Sequence, residues 1–388
     1  MRDAMIETLS DTHREIQALA REVARAKIAP HAEEWNARHE VPMEIIGQLG
    51  ELGLLGITAP EEHGGAGLGV AALTLVVEEM AWADVGISVA IAAHAGLTVG
   101  PIVRAGTDEQ RARFLPDLAS GARIGAYALS EADAGSDPAS MRTTARREDD
   151  TWVLDGAKLW ITNGGFAEVF VVFARTGGAG AHGISAFVAE RVPGLVVGKE
   201  IPKMGLHSSS TVELAFDGLR LPAESMLGEE GGGLAVALRT LDAGRIVIAG
   251  QACGIAQAAL DLAVDYASQR TAFGGPIARF QGVQFPLADI AARLDAARLL
   301  TRHAAASADA GLPHSALGAK AKLLSSRLAV EAADVAVQTL GGFGYSAEFP
   351  AERLYRDAKI TEIYEGTSQI QRLVIARDLL GDAARGGS

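Results

Sequence analysis

One cysteine, Cys253, stands in the 388 residues. A lone thiol excludes an internal disulfide framework and a cysteine-built metal site, and it suits a reducing compartment. Positive charge is also short: 35 Lys and Arg against 48 Asp and Glu leave a net −13. That balance argues against nucleic acid or an anionic membrane surface as main partner, while a local basic pocket for a phosphorylated ligand stays compatible with it. No run approaches ~18 uninterrupted apolar residues, so no membrane span is expected. The opening segment, MRDAMIETLSDTHREI, mixes acids with bases and has no apolar centre, which fits neither a secretory signal nor a transit peptide. A soluble, cytoplasmic chain is expected. The common catalytic signatures are missing as well. No GxGxxG follows a strand and opens a helix with an acid about 20 residues on, so a Rossmann nicotinamide site is unsupported. There is no P-loop, HExxH, CxxC or GxSxG, and GISAF lacks the second glycine of a nucleophile elbow. No metal is expected.

What remains is ample material for burial, with 48% apolar residues and a mean hydropathy of +0.17. At this length two or three domains are expected. The hydrophobic period divides the chain into three. Residues 1–120 are helical in pattern, with Ile16, Leu19, Ala20 and Val23 on one face and Ile45, Ile46 and Leu49 on another. Residues 121–228 carry short β-branched and aromatic runs, TWVLDGAKLWIT, VFVVFART, ISAFVAE and TVELAFDGLRLP, that read as antiparallel strands, with Asp155-Gly156 as a turn. Residues 229–388 return to long helices: Val283, Leu287, Ile290, Leu294 and Ala297 step by four and three, as do Leu317, Ala321, Leu324 and Leu328. The expected fold is α+β: an N-terminal α-helical domain, a middle antiparallel β-barrel-like domain and a C-terminal four-helix bundle.

Near the end, ITEIYEGTSQIQRLVIARDLL sets Glu365 beside Gly366, Thr367 and Ser368. These residues break one helix, and Thr367 or Ser368 can cap the next, whose stripe is Ile370, Leu373, Val374 and Leu380. Taken alone, Glu365 reads as a solvated loop carboxylate near a helix N-terminus. Four more stretches hold too much glycine and polarity for plain connectors: YALSEADAGSD, KLWITNGG, QRTAFGGPIARFQGVQF and QTLGGFGY. Singly each is weak.

Together, in this order and spacing, they resemble the acyl-CoA dehydrogenase family, closest to its short-chain and bacterial members. PEEHGGAGLG, IPKMGLHSSSTVELAFDGLRLP and PAERLYRDAKI share in the likeness, which spans essentially the whole chain. The resemblance implies bound FAD. Tyr127, Ala128, Leu129 and Ser130 match the stretch along the flavin, and Trp160, Ile161 and Thr162 the segment beside its ring. Arg270, Phe273 and Gln281 match residues that reach a neighbouring subunit's FAD, while Gln338, Gly341 and Gly342 match the turn that accepts its dinucleotide end. Thr367 and Gln369 match further FAD contacts. Ser136 matches a residue near pantetheine, and Asp242 with Arg245 a pair gripping the CoA end. A homo-oligomer, tetrameric in most of the family, and an electron-transferring flavoprotein as acceptor are implied.

The same likeness turns Glu365 into the base that removes the proton α to the thioester of a short or branched acyl-CoA, giving the trans-2-enoyl thioester. Such a step needs a carboxylate in a dry site and a donor for the developing enolate oxygen, which a loop N–H can supply. Gly366 leaves room for the thioester. Isovaleryl-type relatives carry their base at the position of Gly244, which has no acid here. The family's EPGxGSD reads EADAGSD, with Ala132 and Asp133 replacing Pro-Gly, and His63 stands where Tyr is frequent. Two rival readings use the same scaffold: an oxidase or desaturase acting on a carrier-protein thioester, and a catalytically silent binding relative. An intact Glu365 and intact flavin stretches count against the second.

Overall fold

A computed structural model describes residues 9–384. Seven α-helices come first: α1 (Asp11–Val23), α2 (Ala32–Arg38), α3 (Met43–Glu51), α4 (Val70–Ala83), α5 (Val85–Ile91), α6 (Gly100–Ala105) and α7 (Asp108–Ser120). Local chemistry sets several of their ends. Ser10 caps α1 by accepting from His13 N–H, and Thr107 with Gln110 forms a reciprocal capping box on α7.

Eight strands follow: β1 (Gly125–Ala128), β2 (Thr144–Glu148), β3 (Thr151–Thr162), β4 (Val169–Arg175), β5 (Ile184–Glu190), β6 (Leu195–Glu200), β7 (Thr211–Pro222) and β8 (Met226–Leu227). They form one sheet in the order β6-β7-β3-β2-β4-β5-β8, with β1 paired to β4. The sheet is mixed rather than purely antiparallel. β1 runs parallel to β4, and β2 meets β4 in parallel at Thr144 and Arg175. β1 and β4 are separated by the β2–β3 hairpin, a connection long enough for a parallel crossover. Asp155-Gly156 is no turn. It lies inside β3, where the register with β7 shifts and Gly156 has φ +143°. Asp155 accepts from Gly218 N–H at 2.8 Å and pairs with Arg146, so both neighbouring strands hold β3 through what becomes a bulge.

The rest is helical apart from a small hairpin: α8 (Gly233–Gln269), β9 (Thr271–Ala272) and β10 (Gly275–Pro276), α9 (Gln281–Asp309), α10 (Ser315–Leu340), α11 (Pro350–Ile360) and α12 (Ser368–Leu380). α8, α9 and α10 form the long bundle, and α8 also packs on α4. Val85–Ala105 and Gly233–Gln269 do reach the length and apolarity of a membrane span, but 89% and 78% of their apolar windows lie inside the protein. They are core helices.

Between α5 and α6 the helix widens to π geometry over Ala92–Val99, a local loosening of the kind found near functional sites. His94 sits on this stretch with 1% of its surface exposed. Its Nδ1 accepts from Gly125 N–H at 3.0 Å and its Nε2 donates to the Leu118 carbonyl at 2.9 Å, so the neutral ring ties α7 to β1. Desolvation lowers its pKa to about 4, because protonating Nδ1 would aim an N–H at an N–H. The unfolded chain therefore takes up this proton first. Stability from the neutral ring is fully present above about pH 6.5 and is lost as pH falls toward 4, by roughly 3 kcal/mol. Urea midpoints at pH 7.5 and 4.5 should differ less in His94→Gln than in the native chain; equal differences would place the acid sensitivity elsewhere.

Candidate active site

The C-terminal motif folds as a tight turn between α11 and α12. Thr367 is the cap, its hydroxyl accepting from Ile370 N–H at 3.3 Å. Glu365 and Gly366 are both left-handed, with φ +50° and +95°. For glycine this is free, but for glutamate it is strained, so the surroundings must impose it. They do so through one carbonyl. Lys322 Nζ on α10 and Gln371 Nε2 on α12 both donate to the Gly366 carbonyl at 2.7 Å. Ser368 N–H adds a 2.9 Å bond to the Glu362 carbonyl. Gln371 is the one fully buried residue of α12. The expected apolar stripe of that helix does not enter the core: Leu373 and Leu380 are 50% and 61% exposed, because α12 docks through its glutamine.

The strained turn aims Glu365 at α8. A Cβ added at Gly244 would collide with Glu365 Oε2 and come within 3.3 Å of Leu97 Cδ2. Glycine at 244 is therefore the space the carboxylate occupies. Glu365 Oε2 is buried and has no hydrogen-bond partner, as is true of the Tyr127 hydroxyl and Arg245 Nε. Burial raises the Glu365 pKa well above the usual carboxylate range, while the nearby Lys322 and Arg245 cations pull it down. Burial, then the Glu365 charge, pushes the Tyr127 phenol up. Desolvation lowers Lys322. This arrangement suits proton abstraction, since Oε2 is buried with nothing bonded to it and burial moves the pKa closer to neutrality.

Asp242 and Arg245, expected at the CoA end, pair within α8 at 2.5 Å, and Ser315 donates to the same Asp242 oxygen at 2.9 Å. Arg245 thus stands near Glu365. Ser136 lies exposed in the connection between β1 and β2.

The flavin stretches run along β1 and the end of β3. Tyr127, Ala128 and Leu129 are buried, and Ser130 is half-buried. A register shift between Lys158 and Ile161 swings Trp160 out of the sheet at φ +64°, leaving it 57% exposed, with Ile161 buried and Thr162 at the strand end. An indole forced outward at the end of β3 offers an exposed aromatic face of the kind a flat ring system can stack on. Two braces were not singled out from sequence. Lys158, wholly buried, donates to the Leu129 carbonyl at 3.0 Å and to Glu131 at 2.8 Å. Asn163 Nδ2 donates to the Ala90 and Gly125 carbonyls at 3.0 and 3.2 Å. Their signal was present in KLWITNG and YALSE, but as neighbours of expected contacts.

The remaining flavin candidates lie elsewhere. Phe273 and Gly274, at φ +51° and +86°, form the two-residue turn of the β9–β10 hairpin and leave Phe273 90% exposed. Arg270 and the Gly341-Gly342 turn line a cleft of ≈570 Å³ with Tyr266, Phe343 and Glu348. Gln338 and Gln281 are exposed near the ends of α10 and α9. Gly244 and Arg270 are separated by most of α8, roughly 40 Å at 1.5 Å per residue. One chain does not bring its two groups of flavin residues together. Thr367 spends its hydroxyl on the cap, and Gln369 is exposed beside it.

Three family models cover the chain: Acyl-CoA dehydrogenase, N-terminal domain over residues 10–122, middle domain over 126–219, and C-terminal domain over 231–380. An acyl-CoA dehydrogenase of Bacillus subtilis is 46% identical over 94% of this chain and 97% of its own length. Butyryl-CoA dehydrogenase from Megasphaera elsdenii superposes with a TM-score of 0.94 at 42% identity, covering 96% of this chain and 99% of that one. A chain in the solved structure of the electron transferring flavoprotein of Acidaminococcus fermentans superposes at 0.95 with 44% identity, covering 96% and 99%.

The Gly244–Glu365 contact makes position 244 a second place from which a carboxylate can reach the same point. Gly244→Glu combined with Glu365→Gly should recover more acyl-CoA turnover than Glu365→Gly alone, yet stay well below native, since ~1 Å of misplacement costs ~10² in rate. Kinetics of both variants on several chain lengths decide the matter. No recovery on any of them, with FAD retained, would show that the two positions do not serve one reacting carbon.

Proposed function

The chain belongs to the acyl-CoA dehydrogenase family and is an FAD-dependent acyl-CoA dehydrogenase, and we propose that Glu365 is its α-proton base and that its substrates are short or branched acyl thioesters. The observation that carries this reading is Glu365 Oε2: buried and unpaired, on a strained turn and facing Gly244. The butyryl substrate of the Megasphaera elsdenii neighbour supports the short acyl class. The domain division proposed is 1–120, 121–228 and 229–388.

In the proposed step the Glu365 carboxylate takes the proton from the carbon α to the thioester carbonyl, and the left-handed turn holds the carboxylate over that carbon. The Glu365 backbone N–H is the donor proposed for the enolate oxygen as charge develops there. Tyr127, Leu97 and Arg245 keep water from the acid, and Asp242 holds Arg245 so that its charge stays beside the base. FAD, when bound along Tyr127–Ser130 and Trp160–Thr162, supplies the acceptor for the β hydrogen with its electron pair. The product is the trans-2-enoyl thioester.

The second flavin group belongs, in this reading, to a neighbouring copy. Arg270, Phe273, Gln281, Gln338, Gly341 and Gly342 serve the partner's cofactor, which makes a dimer the minimum working unit and a tetramer the proposed assembly. The roughly 40 Å along α8 from Gly244, which faces Glu365, to Arg270 supports it. An electron-transferring flavoprotein is the proposed acceptor, in keeping with the Acidaminococcus fermentans neighbour.

Glu365→Gln retains shape and hydrogen bonding but removes the proton acceptor, so turnover should fall by at least ~10² with FAD content unchanged. In the native enzyme the raised pKa of the base places the acid-side loss of kcat/KM at higher pH than an ordinary carboxylate would give. Near-native bleaching of the flavin by substrate in the variant would remove Glu365 from the role. For the shared site, Arg270→Ala should weaken FAD retention and subunit association together. Flavin loss and sedimentation measured on one sample test this, and a monomer holding FAD tightly is the contrary result.

A further inference from the structure

Lys322, on the N-terminal third of α10, is 1% exposed. A buried ammonium is expensive unless it is paired and hydrogen-bonded, so its neighbours show what it is for. Its Nζ donates to the Gly366 carbonyl at 2.7 Å, and its strongest charge interaction is with Glu365. No side-chain carboxylate is bonded to it among the described residues. Gln371 shares the same carbonyl but carries no charge. Resting on the reading of Glu365 as the base, we propose that Lys322 is its positioning residue: the ammonium locks the Gly366 carbonyl, and with it the left-handed turn that aims Glu365, and sets a positive charge beside the carboxylate.

The geometry gives the lysine two separable duties. The hydrogen bond fixes the turn, which no helix or strand ladder holds at Glu365 and Gly366. The charge opposes the desolvation that would otherwise leave the carboxylate protonated and unable to accept. The charged and titratable groups around Glu365 are few. α10 contributes Lys322, α8 contributes Arg245 with its partner Asp242, β1 contributes Tyr127, and the turn itself adds Tyr364 and Glu362. Arg245 shares its charge with Asp242 at 2.5 Å, whereas the bonded partner of Lys322 is a neutral carbonyl. Lys322 is therefore the cation whose charge is most available to the base.

Two variants separate the duties in the FAD-loaded enzyme. Lys322→Gln keeps an N–H donor for the Gly366 carbonyl and removes the charge. Lys322→Met removes both. In Lys322→Gln the acid limb of the kcat/KM profile should move up by about one pH unit, a loss of about tenfold on that limb that alkaline pH restores. KM should stay near native, because the lysine does not touch substrate. In Lys322→Met the limb should move likewise, and the alkaline plateau should also drop about tenfold as the turn loosens. A ¹³C titration of the Glu365 carboxyl reads the same shift without turnover. An unmoved or lowered limb and carboxyl titration in Lys322→Gln overturns the proposal, and that variant decides alone if Lys322→Met does not fold. The outcome is distinct from failure of the base itself, which Glu365→Gln reports.

Discussion

A carboxylate that must pull a proton from carbon works best away from water, yet removing water favours the protonated form that accepts nothing. In the proposed reading of Glu365 as the base, the site is built around that conflict. Glu365 Oε2 is buried and unpaired, and the opposing cations, Lys322 and Arg245, are themselves buried. Each cation is tethered by something other than the base: Arg245 by Asp242, and Lys322 by the Gly366 carbonyl. Neither tether uses up the carboxylate, so its free oxygen remains for chemistry.

Geometry is fixed by the same few atoms. A glutamate at φ +50° followed by a glycine at +95° persists only where the surroundings over-determine it, and two donors on one carbonyl do so. Helix α12 is the consequence. It is docked by buried Gln371, while Leu373, Leu379 and Leu380 remain at the surface of the single chain. Space is fixed by α8, where the missing side chain of Gly244 admits the carboxylate.

The second constraint is length. α8 carries Gly244, which faces Glu365, near its start and Arg270 just past its end, so a rigid helix holds the two groups of proposed flavin contacts apart in one chain. The rings of Trp160, Phe273 and Tyr345 stand exposed on the single chain.

Period and motif made the three-part architecture legible, because helix and strand faces repeat at 3.6 and 2 residues whatever surrounds them. The YEGTSQ segment likewise gave the helix break at Glu365 and left Thr367 or Ser368 as the cap, and only the family resemblance singled out Glu365 as the base; the structure places the cap on Thr367. Three features were decided only by tertiary structure. Asp155-Gly156 has the composition of a turn, yet pairing on both sides kept it inside β3. β1 paired in parallel with β4, a choice that depends on where a distant strand arrives. Lys322 and Gln371 looked like ordinary helix residues, since nothing local distinguishes a buried lysine from a solvated one. Their role exists only because α10, α12 and the turn meet at one carbonyl, and a contact between residues 44 positions apart leaves no mark on the sequence around either of them.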